Sequence, residues 1–119
     1  MAIQTTGVAG AVNVTFEAEF DNGNSGAAKT IDWNNGQKQK VTLTATCTFT
    51  FTPLAAGVAN LLLKLVQDGT GSRDVVWPAS VKWRNGVAPN LSNAAGAVDI
   101  VSLYFDGTNY YGTSTTNFQ

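Results

Sequence analysis

From Val41 to Thr52 the chain reads Val41-Thr42-Leu43-Thr44-Ala45-Thr46-Cys47-Thr48-Phe49-Thr50-Phe51-Thr52, apolar at every odd position and threonine at every even one. A strand sends successive side chains to opposite faces, so this pattern excludes a helix and predicts a strand dry on one side and wet on the other. Val41, Leu43, Ala45, Phe49 and Phe51 are expected inside, and Thr42, Thr44, Thr46, Thr48 and Thr50 outside. The threonine face suits a pleated surface and can hydrogen-bond water or cross-strand neighbours, but it carries no acid, base or charge. Such a surface belongs to a scaffold, and it points to a structural or binding protein.

The other alternating segments are shorter. Val12, Val14, Phe16, Ala18 and Phe20 alternate with Asn13, Thr15, Glu17 and Glu19, which predicts a strand ended by the turn cluster Asp21-Asn22-Gly23-Asn24-Ser25-Gly26. A short strand through Ile31 and Trp33 follows, and Asn34-Asn35-Gly36 turns the chain into the threonine strand, which Pro53 ends. Leu61 to Val66 is apolar except for Lys64, as in a strand covered on both faces. A short helix is the alternative, disfavoured because Asp68-Gly69-Thr70-Gly71 closes the run so soon. Further strands are expected at Val75 to Trp77 and at Val81 to Trp83, with a hairpin of Val98 to Phe105 and Tyr110 to Thr116 across Asp106-Gly107-Thr108-Asn109. Seven or eight short strands without a helix of three turns predict an all-β fold, an antiparallel β-sandwich or jelly-roll-like barrel. Thr30-Ile31-Asp32-Trp33-Asn34-Asn35-Gly36 and Ser80-Val81-Lys82-Trp83-Arg84-Asn85-Gly86 echo each other. Shared turn chemistry explains this better than duplication, since nothing after either glycine matches.

With 119 residues the chain is expected to form one domain over 1–119, with 1–11 as a flexible or attachment arm. Seven basic and eight acidic residues give a net charge of −1 with interspersed signs, which does not suit phosphate backbones, so no nucleic-acid partner is expected. No apolar run approaches the roughly 18 to 20 residues of a membrane-spanning helix, and no membrane partner is expected. Met1 to Gly7 has neither a basic nor an apolar leader region, so the chain is expected to stay in the compartment that makes it. The single cysteine, Cys47, falls on the apolar side of its strand and reads as a small hydrophobe.

Chemistry is excluded mainly by missing residue types. There is no histidine, which removes the commonest general base, the commonest metal ligand and every histidine-containing triad. One cysteine and no histidine leave too few ligands for zinc. The loop Asp21 to Gly26 lacks the spacing and closing glutamate of a calcium loop, and Gly69-Thr70-Gly71 lacks the third glycine and following helix of a phosphate cradle. No metal and no cofactor are therefore expected. Asn13-Val14-Thr15 and Asn90-Leu91-Ser92 fit the glycosylation pattern only by chance in a chain without a secretion signal. Glu17 and Glu19, two apart on one strand face, would hold their β-carbons roughly 6.5 to 7 Å apart, a separation that flexible side chains could reduce to a retaining-glycosidase geometry. Nothing around them supplies the apolar enclosure a catalytic acid needs, so no enzyme activity is expected. Asp68, Asp74, Asp99 and Asp106 fall mostly at turns, where aspartate bonds the backbone.

Aromatic residues carry the one recognition signal. Trp77, Trp83, Tyr104, Phe105, Tyr110 and Tyr111 cluster in the last third, and Tyr110 and Tyr111 must face opposite ways, so one of them can stand exposed near a loop tip and stack on a sugar. The expected ligand or partner contacts are Tyr110, Tyr111, Asp106 and Asn109. For Trp77 and Trp83 core packing is the preferred reading.

Two segments are distinctive: Trp77-Pro78-Ala79-Ser80-Val81-Lys82-Trp83, and Asp106-Gly107-Thr108-Asn109-Tyr110-Tyr111-Gly112. With the stretches before them, across Ile31 to Gly112, the chain resembles a β-rich module of tailed-bacteriophage and prophage virion proteins. That module is found at the carboxyl end of tail fibres and as small free-standing capsid decoration-type proteins. The resemblance brings no catalytic residue. It implies a non-enzymatic structural protein of the virion surface, made in the host bacterial cytoplasm. Without a heptad repeat or shaft before the module, capsid decoration (a cement protein) is the first expectation. The alternative is a tail-fibre or baseplate tip that binds host surface glycans. The partners implied are further copies of the chain, most simply a homotrimer, together with the major capsid protein or another virion component, and a host glycan in the second role.

Overall fold

The computed structural model describes residues 15–119, and its strands are β1 (Phe20–Asn24), β2 (Ala28–Asp32), β3 (Lys38–Leu43), β4 (Cys47–Thr52), β5 (Ala59–Gln67), β6 (Val75–Val76), β7 (Val81–Trp83), β8 (Val98–Phe105) and β9 (Tyr110–Phe118). They form a six-stranded sheet in the order β1-β3-β5-β8-β9-β7 and a three-stranded sheet in the order β2-β4-β6. The expectation of an all-β fold therefore holds. The pairing is different from the antiparallel scheme: β1 with β3, β3 with β5, β2 with β4, β4 with β6 and β7 with β9 are all parallel. From β1 to β6 the chain visits the large and small sheets alternately, and each return lies parallel to the strand left one visit earlier. That is the path of a coil of three turns. Only β5 with β8 and β8 with β9 pair antiparallel, so a hairpin is joined to the last coil through β5.

The threonine segment shows how the coil is encoded. It is not one strand but two, β3 in the large sheet and β4 in the small one, with Thr44-Ala45-Thr46 as the corner. Val41, Leu43, Cys47 and Phe49 are buried, whereas Ala45 and Phe51 are half-buried; Thr48 and Thr50 are exposed. Both strands face one core, so in-out parity runs unbroken around the bend. Other differences follow from the same path. Asp21 to Asn24 is strand β1 and not a turn, and Thr15 to Glu19 is not a strand; residues 12–14 of the expected first strand, like the arm at 1–11, lie outside the described residues. In β5 the odd residues Leu61, Leu63 and Leu65 are buried and the even ones Leu62, Lys64 and Val66 half-buried, so its second face is only partly covered.

One cluster fills the space between the sheets, joining Ile31, Cys47, Phe49 and Val75 of the small sheet to Val41, Leu43, Leu61, Leu63, Leu65, Val101, Leu103 and Phe105 of the large one. Two buried glutamines tie loops to this core. Gln39 Nε2 donates to the carbonyls of Asp32 and Gly36 and its Oε1 accepts from Asn22 Nδ2. Gln67 Nε2 donates to the carbonyls of Arg73 and Ser92, while its Oε1 accepts from the Arg73 amide. Both satisfy buried backbone groups at places where the coil leaves the ladder. Asp99 is not at a turn: buried in β8, it accepts from the Ser92 amide and hydroxyl and from the Asn117 amide, fastening the 90s loop to the end of β9.

Removing a buried ring from this cluster and removing an exposed hydroxyl should have different effects. Phe49→Ala is expected to lower stability by about 3 to 5 kcal/mol and Thr50→Ala by about 0.5 or less, measured by urea unfolding of both variants beside the wild type. Equal losses would mean that the threonine face of the small sheet is covered as well.

Candidate functional site

The two distinctive segments meet residue for residue. Strand β7 lies parallel to the start of β9, with Val81 beside Tyr110, Lys82 beside Tyr111 and Trp83 beside Gly112. The turn before β9 is shaped by Asp106, whose Oδ1 accepts from the amides of Thr108 and Asn109 at 2.9 and 2.7 Å, while the Asp106 amide donates to the Asn109 carbonyl. Those two amides, Asn109 first, hold the Asp106 carboxyl below its ordinary pKa, with a smaller contribution from the Tyr111 hydroxyl. Tyr110 then points inward. Its ring lies 4.7 Å from that of Phe105 and meets Phe51 edge-on at 5.1 Å, and it is 2% exposed. Tyr111 points outward at 47% exposed. Gly112 follows because a Cβ there would collide with the Trp83 ring, which in turn packs edge-on against Trp77 at 5.2 Å.

The outward face of the large sheet is where these elements can meet a ligand. Tyr111 is the ladder partner of Tyr104, also 47% exposed, and Tyr104 is the partner of Asn60, so Lys82, Tyr111, Tyr104 and Asn60 form one row across four strands. The next row is Lys38, Leu62, Ser102 and Thr113. Except for Lys82, which stands beside it, the residues of the two rows line an open groove of 340 Å³. Its size is at the lower end of small-ligand sites. It offers aromatic faces, an apolar floor at Leu62, and hydroxyl and amide groups able to exchange hydrogen bonds. These are groups by which a ligand can be bound.

Residues 32–110, more than half of the chain, match the family described as "Putative phage tail fibre C-terminal domain". The chain belongs to this family. No curated protein and no solved structure matches it. Both distinctive segments and the groove rows fall largely within the matched span. Membership makes the tail-fibre module a structural component of a phage virion, in line with the resemblance read from those segments. The family is a structural one, which agrees with a non-enzymatic role. Capsid decoration, the first of the two expected roles, finds no support in this membership, and the tail-fibre alternative fits it better.

Of the four expected contact residues, the fold exposes Tyr111 and places Asp106 and Asn109 in the adjacent turn, but it buries Tyr110 in the core of the module. Tyr110 is thereby removed from any surface role. Asp106 shapes the turn by accepting from the amides of Thr108 and Asn109. Asn60, Lys38 and Lys82 were not anticipated, and Tyr104 was named among the clustered aromatics but not as a contact, although position in alternating strands carries the signal: once β8 and β9 are a hairpin across a four-residue turn, Tyr104 must lie beside Tyr111 on the outer face. Glu17 and Glu19 precede β1 and share no strand face; Glu19 Oε1 accepts from Lys64 Nζ at 2.8 Å. Ser92, in the second glycosylation-like triplet, has its hydroxyl engaged by Asp99.

Two substitutions test this corner of the tail-fibre module. Gly112→Ala should lower stability by about 1 to 3 kcal/mol, because the added methyl group must displace Trp83, and it should shift the tryptophan fluorescence. Tyr110 Oη has no hydrogen-bond partner among the described residues, and burial pushes its phenol above the ordinary value of 10.0. Because the folded pKa is the higher one, its contribution to stability is complete below the unfolded pKa and is lost as pH rises through the folded pKa. Tyr110→Phe should therefore keep neutral-pH stability within about 1 kcal/mol of wild type and flatten the alkaline decline in a pH-dependent unfolding series.

Proposed function

We propose that this module forms the receptor-contacting end of a phage tail fibre and binds a saccharide of the host surface, without cleaving it, through the outer face of its large sheet. The observation that carries the proposal is the ladder pair Tyr104 and Tyr111, two half-exposed rings side by side over an open groove, in a member of a tail-fibre C-terminal domain family. Rings with polar tips, held rigidly on strands, suit a ligand that is apolar on the faces of its sugar rings and hydroxylated at their edges. Neighbouring Asn60, Ser102 and Thr113 supply the hydrogen-bonding groups such a ligand needs. The module is further proposed to act as a homo-oligomer, with the trimer as the state implied by the resemblance. Weak sites on several copies then act together, and avidity exceeds the affinity of any one groove.

Particles carrying Tyr111→Ala, and separately Tyr104→Ala, should assemble normally and keep the stability of the module, yet adsorb to host cells at least about tenfold more slowly when several grooves act together. Wild-type adsorption rates in both variants would remove the groove from host binding. Sedimentation of the purified module should give three times the chain mass; a monomer at tens of micromolar would end the trimer proposal.

A further inference from the structure

Resting on the host-binding reading above, we infer that the saccharide taken by the Tyr104 and Tyr111 groove is acidic, a chain bearing carboxylates of the uronic-acid type. The reason is where the module puts its cations. The chain as a whole is slightly acidic, with a net charge of −1, yet four of its seven basic residues, Lys38, Lys40, Lys64 and Lys82, belong to the outward rows of the large sheet. Two of the four are neutralised in place. Lys64 pairs with Glu19 at 2.8 Å and Lys40 with Asp21 at 4.0 Å.

The two lysines that line or flank the groove are not. Among the described residues neither Lys38 nor Lys82 has a carboxylate within ion-pair distance, and residues 1–14 contain no aspartate or glutamate that could supply one. Lys38 Nζ stands 5.5 Å from the centre of the Phe16 ring, and Lys82 Nζ donates to the Ala79 carbonyl at 3.2 Å. Both contacts hold the ammonium in place without giving it an ion-pair partner among the described residues. Lys82 is in β7 and Lys38 in β3, with β9, β8 and β5 between them. Four inter-strand steps separate their backbones by roughly 19 Å. The tyrosines lie between the two charges.

This arrangement selects against a neutral sugar as the best ligand. A neutral saccharide would gain from the rings and the polar groups but would leave both ammonium groups unmatched. A chain with fixed negative charges along its length can meet both lysines while its ring faces lie on Tyr104 and Tyr111. Of the carboxylates around this face, Asp106 is engaged by the amides of its own turn and Glu19, which with Glu17 lines a hollow on the far side of Lys38, is engaged by Lys64. At physiological salt, charge acts only over about 8 Å, so the lysines discriminate among ligands in contact and their effect fades as salt rises.

The test uses phage particles bearing the module, with polygalacturonate and neutral dextran of matched length as soluble competitors. Polygalacturonate should inhibit adsorption and dextran should not. The double variant Lys38→Gln, Lys82→Gln should adsorb about fivefold more slowly, lose most of its sensitivity to added salt, and melt at the wild-type temperature, since both side chains are at the surface. Wild-type adsorption by the lysine variant, competition by dextran equal to that by polygalacturonate, or no competition by polygalacturonate would each overturn the acidic-ligand inference. A Tyr111→Ala particle read in parallel separates the two levels. Slow adsorption there with fast adsorption of the lysine variant leaves host binding standing and removes only the acidic ligand; fast adsorption of both removes host binding as well.

Discussion

The contact between Phe51 of the small sheet and Tyr110 of the large one holds the parts of this molecule in their places. Phe51 also meets Trp33 edge-on at 5.5 Å and Trp77 at 6.3 Å, while Tyr110 lies on Phe105. Rings from the coil, from the segment before β7 and from both strands of the hairpin therefore share one aromatic cluster. Each edge-to-face pair contributes on the order of 1 kcal/mol beyond burial, and the larger effect is geometric, because a ring in a close-packed cluster has few alternative positions. With Tyr110 fixed inward, the period of the strand fixes Tyr111 outward beside Tyr104. The outer face proposed to bind the host is thus set by a core contact on the opposite side of the same strand.

Much of the fold was legible in local pattern. The alternation at 41–52, the turn residues at 34–36 and 106–109, and the stop at Pro53 each correspond to an observed feature. What local pattern could not show was that the long alternating segment bends at Thr44-Ala45-Thr46. That corner has no glycine, proline or asparagine, and because both strands look into one core the parity of buried residues never breaks. Parallel pairing was hidden for the same reason: alternation reports which face is dry and says nothing about which neighbour supplies the ladder. In the echo of Thr30 to Gly36 in Ser80 to Gly86 each segment runs from a strand into a tight turn, but the second turn holds Asn85 at φ 56°, outside the 3₁₀ region that the first one keeps.

The site was legible only in part. Opposite orientations for Tyr110 and Tyr111 follow from strand period, but which of them faces out depends on where the core lies, and that is a tertiary fact. Tyr104 became readable as a partner only with the hairpin register, and Lys38 and Lys82 only with the strand order that brings β3 and β7 to either side of β5, β8 and β9. Gly112 looks like an ordinary turn-adjacent glycine in sequence. Its reason is the Trp83 ring lying across it, a contact made by a strand far away in the chain.

Strand β5 has a consequence for the order in which the chain can reach this state. It is hydrogen-bonded to β3 on one side and to β8 on the other, and four of its nine residues are leucine. Coil pairings join neighbouring turns of the chain and the hairpin closes across four residues, whereas Leu61 must find Leu103 over a long intervening segment. Closing that loop carries the greater entropic cost, which favours forming the coil and the hairpin ahead of their union. Until they join, β5 presents a long unpaired edge rich in leucine, the kind of edge that recruits a strand from a neighbouring molecule. Crowded synthesis of many copies, as in a cell assembling virus particles, therefore puts this one strand at greatest risk of aggregation, and Lys64, a charge in the middle of its outer face, is placed where it opposes that misassociation.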